Sequence, residues 1–362
     1  MPQSEPVTHS KIAHLKRSLV RTQDLLWSGL TERDITHHVK TGDIIRLRRS
    51  WYTGQETWTS ASMANQHLLA MIAASGAAET TPVFSHRSAA TLHGLPVWSA
   101  WMERVFNKPP DKLTDPKVVA LTKPARHGTV SGFLSIHRGE LGPEEVGSVA
   151  GFTCTSAVRT IIDLARTEPF GIALACTDSL LNKLFSTNRV IDETSWHEWR
   201  AQLIAYTLNH PRRRGMAVVR NLAILSDPGS ESPLESVSRL RMHQLGIRVE
   251  LQTPIPAENG GTLYLDFKLP DFNVFGECDG KVKYFNTDML NGRSAAEVVH
   301  EEKLRHDWIE GTTSMRGIRW GAKDLTTAAV FARRLRAFRI EVPGRPTLEF
   351  GKDIATFLGR LA

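Results

Sequence analysis

Apolar residues along this chain change their period several times, and each change marks a predicted element. Over residues 18–30 (SLVRTQDLLWSGL), Leu19, Leu25, Leu26 and Leu30 recur at spacings that fit one helical face. Gly29 closes that segment. Thr31 then offers an N-cap oxygen with Asp34 three residues on, and Ile35 and Val39 give a second helix its inner face until Gly42 stops it. From Asp43 the period drops to two: Ile45, Leu47 and Arg49 alternate with Arg46, Arg48 and Ser50, as in a strand. Residues 60–205 mix predicted helices (65–75, 86–94, 155–166, 172–185) with short predicted strands (104–107, 117–122, 133–137). A polar, basic stretch, NHPRRRG, reads as a linker; GMAVVRNLAILSD reads as a short helix and PGSESP as a turn. From Glu231 onward, Leu234, Val237, Leu240 and Leu245 fall in register on a helix ended by Gly246. Strands over 247–252, 263–269 and 274–279, a helix over 295–311 and a strand over 315–320 follow, with IATFLGRL as a docking helix in the tail.

These elements predict an α/β multidomain chain, divided as 1–58, 59–205, a linker at 206–214, 215–340 and a tail at 341–362. The first segment, with two short helices, a tight turn and a basic strand, has the pattern of a winged helix-turn-helix. The middle segment is mixed α/β. The last has the order α-β-β-β-α-β, the core of the restriction-endonuclease-like fold.

Composition narrows the function. At 362 residues, with 41% hydrophobic and 23% charged, the chain suits a soluble protein of two or three domains. No apolar run approaches the ~20 residues of a membrane span, and the first residues lack a secretory apolar stretch. Cys154, Cys176 and Cys278 are scattered without metal-binding spacing, so a reducing cytoplasmic setting is expected. The net charge is +7, and Lys11–Arg49 holds nine Lys/Arg against four Asp/Glu, a local surplus of five. Such a surplus favours a polyanion, above all DNA. In the winged reading the second helix, bearing Arg33 and Lys40, enters the major groove while Arg46, Arg48 and Arg49 lie along phosphates. A small helical hairpin with a basic edge strand is the plainer alternative.

SHRSAATLHGLPVW (85–98) and GFTCTSAVRTIIDLAR (151–166), following the basic wing, resemble the AbiEi family of antitoxin-type transcriptional regulators over roughly residues 15–185. The resemblance implies a DNA-binding regulator, in some systems repressing its own operon beside a nucleotidyltransferase toxin. Arg87, His93, Arg159 and Asp163 in these motifs read first as packing and capping residues. Arg159 and Asp163, at i and i+4, can pair across a helix face.

Acidic residues stand out on strands that otherwise favour Val, Ile and Phe. Asp266 lies inside one apolar strand, and Glu277 and Asp279 share a face at the end of the next. Unpaired carboxylates in a sheet cost several kcal/mol unless a cation or donors compensate. Carboxylates facing one another from adjacent strands are what a Mg²⁺ site needs, and such an ion can polarise a scissile phosphate and activate water. Lys281 or Lys283 would then stabilise developing charge. The plainer alternative pairs Glu277 and Asp279 with Lys303, Arg305 or Arg319.

ESPLESVSRLRMHQLG, LYLDFKLPDFNVFGECDGKVKY and EEKLRHDWIEG…RGIRWGAKDL resemble the very-short-patch-repair-like branch of the PD-(D/E)xK nucleases over about residues 229–338. The resemblance implies Asp266 as the metal-binding Asp, Glu277 as the second acid and Glu235 as a further acid. Asp279 stands where many of these nucleases carry Lys, and Lys283 is the candidate migrated lysine. With ExD in place of ExK, two expectations follow. One is a DNA endonuclease dependent on Mg²⁺ (or Mn²⁺), placed by the winged helix and serving defence or DNA maintenance. The other is a non-enzymatic AbiEi-like autorepressor with a degenerate nuclease fold. A metabolic α/β enzyme finds no dinucleotide fingerprint and no Ser/His/Asp or Cys/His arrangement to support it.

Overall fold

The computed structural model describes residues 6–106, 114–124, 127–278 and 295–361. Helices and strands mix throughout, and the chain gathers into two compact units. The first takes Ser4–Ser99 and Lys108–Thr167; the second takes Ala100–Asn107 and Glu168–Ala362. Among the described residues no helix is long and apolar enough to cross a membrane.

The first unit opens with α1 (His9–Lys16), β1 (Leu19–Arg21), α2 (Thr22–Trp27), α3 (Glu32–Thr41), β2 (Ile44–Arg48) and β3 (Trp51–Gly54). Its α3 starts and stops as its sequence dictates. Asp34 N–H donates to Thr31 Oγ1 at 3.2 Å, and the Asp34 carboxylate accepts from the Thr31 N–H and hydroxyl in return. Gly42 ends the helix at φ 87°, a conformation that costs glycine little. The three strands form an antiparallel sheet in the order β1-β3-β2, and the hairpin turns over Arg49 and Ser50, with Ser50 at φ 64°.

The helix expected over 18–30 is therefore two elements. Leu19–Arg21 is a strand paired with Trp51–Thr53, and the helix begins only at Thr22. Two helices and a strand intervene between those partners, and a local period carries no trace of such a pairing.

The unit continues with α4 (Gln55–Ser60), α5 (Met63–Gly76) and α6 (His86–Leu92). The chain next supplies α7 (Ala100–Val105) to the second unit. Of the strand expected at 104–107, residues 104 and 105 belong to a helix instead, with Met102 and Val105 buried on its inner face, and residue 107 lies outside the described residues. The first unit then closes with β4 (Val119–Lys123), β5 (Thr129–Ser131), β6 (Leu134–Arg138), β7 (Val146–Val149), β8 (Phe152–Thr155) and α8 (Ala157–Thr167). Its core joins Leu47, Leu68, Leu69, Met71, Phe84 and Phe152.

The second unit carries α9 (Phe170–Phe185), β9 (Ser186–Thr187), β10 (Val190–Ile191), α10 (Glu193–Asn209), α11 (Met216–Leu225) and α12 (Pro233–Leu245). There follow β11 (Glu250–Pro256), β12 (Thr262–Leu269), β13 (Val274–Cys278), α13 (Ala295–Thr313), β14 (Arg316–Trp320), α14 (Ala328–Ala337) and α15 (Lys352–Arg360). The sheet order is β11-β12-β13-β14, antiparallel except for the parallel pair β13–β14. That last pairing needs a crossover, and α13 lies within it. Leu265, Phe275, Ile309 and Met315 form the core beneath. Gly276 must be glycine there, because a Cβ would stand 2.2 Å from the Trp320 ring.

Helix α12 is the hub of this unit. Arg239 and Asp178 are both buried and pair at 2.7 Å, while the Asp227 N–H donates to the other Asp178 oxygen. Arg241, also buried, donates to the carbonyls of Leu325 and Thr326. Gln244 donates to the carbonyls of Leu358 and Leu361, so the tail helix docks on α12 with Ile354 and Leu358 inward.

Candidate nucleic-acid interface and acidic cleft

In the first unit, the cations singled out from sequence stand on α3 and the β2–β3 hairpin. Arg33 and Lys40 are exposed on α3, Arg46 and Arg49 are exposed on the hairpin, and Arg48 is half-buried. Burial lowers the Arg48 guanidinium from its usual range. Leu47, between them, is fully buried and Arg46 is exposed, as the alternation read from the sequence expects. Beyond Leu47 the alternation fails: Arg48 is half-buried, and Arg49 is exposed in the turn rather than inward with Leu47. A register shift between Arg46 and Arg48 falls at this point and re-aims the last turn of the ribbon.

The neighbouring acids are engaged locally. Asp34 serves the α3 cap, and its hydrogen bonds from Thr31 hold it below the ordinary Asp range. Asp43 accepts from Thr41 Oγ1 at 2.6 Å and pairs with His38 Nδ1 at 2.9 Å, which lowers it likewise. None of Arg33, Lys40, Arg46, Arg48 and Arg49 has an acidic partner among the described residues.

The two segments quoted for their family resemblance meet where α6 packs on α8. Arg159 pairs with Asp163 at 3.0 Å, as its spacing predicts, and with Glu145 at 2.9 Å. His86 stacks on His137 and stands 4.0 Å from Asp163. Arg87 lies over the Trp98 ring, and His93 pairs with the Thr155 carbonyl at 2.8 Å. Desolvation raises the Asp163 carboxyl, with Arg159 opposing. All four singled-out side chains are thus engaged within the unit.

In the second unit, Asp266, Glu277 and Glu302 line one cleft of about 310 Å³ with Arg189, Tyr264, Cys278 and Arg305. The strands place the two sheet acids. Phe267 pairs with Gly276, so Asp266 on β12 and Glu277 on β13 stand side by side one step further. Glu277 is buried, and both its oxygens are taken. Arg305, from α13, donates to Oε1, and Arg319, its direct neighbour across the β13–β14 pair, donates to Oε2 at 2.7 Å. Arg305 also donates to the Tyr264 carbonyl at 2.7 Å. The pairing named from sequence as the plainer alternative is the one that forms for Glu277.

Glu235 stands behind Asp266, at the start of α12. Its carboxylate accepts from the Glu231 N–H at 2.8 Å and the Ser232 hydroxyl at 2.7 Å, while its own N–H donates to Ser232 Oγ, the N-cap of α12. Burial first, and the negative charge of Asp266 second, push its carboxyl up to about 8. Those hydrogen bonds work in the opposite direction.

Sequence reasoning missed Arg189. It sits at the β9–β10 turn at φ 66°, bridges to Glu231 at 3.0 Å and lies over the Tyr264 ring. Nothing in STNRVI marks a residue that acts 42 positions away; the Asn-Arg pair marks only a turn.

Asp279, Lys281 and Lys283 lie outside the described residues. Among the described residues no three His, Cys, Asp or Glu side chains are grouped to hold a metal ion. With Glu277 held by two guanidinium groups, the described donors do not fit a divalent cation. The chain matches no protein-family model, and no curated protein matches it.

Proposed function

We propose that this protein is a DNA-binding regulator whose first unit grips duplex DNA and whose second unit keeps a nuclease-type fold for binding rather than cutting. The observation that carries the reading is the set of five cations on α3 and the β2–β3 hairpin, left without acidic partners while Asp34 is spent on the α3 cap and Asp43 on Thr41 and His38. The order α1-β1-α2-α3-β2-β3, with the sheet running β1-β3-β2, supports a winged helix-turn-helix. In that arrangement α3 lies in the major groove and the hairpin follows the phosphates. The regulator reading extends to an AbiEi-like autorepressor whose partner system includes a nucleotidyltransferase-type toxin.

Binding to the protein's own upstream DNA, followed by anisotropy over a range of salt, tests this. Neutralising Arg46, Arg48 and Arg49 together to Gln should weaken binding and flatten the salt dependence by about 0.9 for each phosphate that is no longer neutralised. Binding that ignores these changes sinks the proposal.

A second reading, divalent-metal-dependent DNA cleavage, draws on the convergence of Asp266, Glu277 and Glu302 on one cleft. The arginine grip on Glu277 weighs against it. Supercoiled plasmid incubated with Mg²⁺ or Mn²⁺ separates the two. Intact plasmid is expected; nicking that Asp266→Asn abolishes establishes the nuclease instead.

A further inference from the structure

The notable surface of the second unit outside the cleft is one side of α14. Phe331, Ala332 and Leu335 are buried and fix the inner face of that helix. Arg333 and Arg336, three residues apart, are exposed on the outer side, and exposed Arg339 follows at the helix end. None of these three arginines has an ion pair or side-chain hydrogen bond among the described residues. Their neighbour Arg334 behaves differently. It turns inward and donates from Nε to the Arg319 carbonyl at 3.1 Å.

Arg319 is thereby held on two sides: its carbonyl accepts from α14, and its side chain grips Glu277. The outward arginines thus ride on a helix bonded to β14, the strand paired with β13, whose Glu277 and Cys278 line the acidic cleft.

A plain helix-dipole explanation covers only part of this. Cations in a last turn gain about 0.3–1 kcal/mol from the negative end of the dipole. That accounts for Arg336, but not for Arg333, a full turn from the end. Nor does it account for Arg339, which sits at φ 58° in the left-handed position where helices ordinarily place glycine.

We infer that Arg333, Arg336 and Arg339 form a second phosphate-tracking surface, through which the second unit contacts the DNA backbone without reading sequence. Guanidinium groups suit this work because their forked donors match phosphate oxygens. The inference rests on the DNA-binding reading above and adds to it a contact surface independent of the winged segment.

The test uses the full chain and a random-sequence duplex, with affinity measured across salt. Arg333→Gln, Arg336→Gln and Arg339→Gln combined should lower the slope of log affinity against log salt by roughly 2–3, at about 0.9 per phosphate released. The triple Lys variant should keep most of the slope, which shows that charge rather than packing is at work. Both variants should melt with the parent protein, since all three side chains are exposed. A Gln variant with unchanged slope and affinity overturns the inference, as does a Lys variant as defective as the Gln one. Triple Gln substitution at Arg46, Arg48 and Arg49 is run in parallel. If that variant loses binding while the α14 variant does not, the inference fails and the winged reading stands. If only the α14 variant loses binding, the inference stands and the winged reading fails. If the parent protein binds no duplex, both fail.

Discussion

Glu235 shows how one side chain can serve two masters. It accepts hydrogen bonds from Glu231 and the N-cap Ser232 at the start of α12, yet burial and the facing Asp266 charge raise its carboxyl from the ordinary 4.5 to about 8. The native state therefore holds a proton that the unfolded chain releases between those two values. Its contribution is full below about 4.5 and is lost as pH rises through about 8. Thermal melting of the parent protein should accordingly drop between pH 5 and pH 9 by more than that of Glu235→Gln. Parallel pH profiles for the two proteins would remove Glu235 from the account. Glu277 poses the opposite case: a buried carboxylate already compensated. Truncating Arg319 to Ala leaves it with Arg305 alone. The expected cost is about 1–3 kcal/mol in chemical denaturation, below the range for fully buried pairs because Arg319 is 36% exposed.

Among the elements, α12 carries the heaviest constraint, since its Arg239 is enclosed with Asp178 and cannot be solvated if the partner goes. Asp178→Ala should cost about 3–5 kcal/mol, while replacing both by apolar residues of similar volume should cost far less. Equal losses for the single and paired changes would show that packing, not charge, dominates there. The same element-level view explains what was legible in the chain. The cap and stop of α3 depend on residues within one turn, so Thr31, Asp34 and Gly42 announced them. The order of helix, three strands, helix and strand from Glu231 onward was legible for the same reason, each apolar run being strong by itself. Leu19–Arg21 escaped because its partner strand is distant in sequence. Val105 and Phe106 mislead because so short an apolar pair fits strand and helix alike, and burial of Met102 and Val105 decides for the helix through Val105. The acids of the cleft were visible as charges inside apolar strands. The grip on Glu277 was visible only as one of several possible pairings, because the choice of Arg305 and Arg319 over Lys303 is made by α13 and the β13–β14 register. Arg189 left no mark at all.

At the scale of the whole molecule, the two units are not simply consecutive. The chain visits the second unit with α7 before completing the first. A fragment starting at residue 168 therefore lacks Met102 and Val105, and with them Phe106, whose ring fills the space above Gly171. Burying such side chains is worth about 1.5–3 kcal/mol each. The fragment should unfold at distinctly lower denaturant than the same unit within the full chain, and adding α7 as a separate peptide should restore part of the loss. Identical unfolding midpoints would show that α7 contributes nothing to that unit.

The outer strands of the four-stranded sheet also bear on how the protein behaves in crowded solution. Pro254 and Pro256 leave β11 short of donors, and exposed Arg316 places charge on β14. A second chain seeking to extend the ladder would meet missing N–H groups on one flank and like-charge repulsion on the other. Cross-β stacking through the edges of this sheet is thereby discouraged.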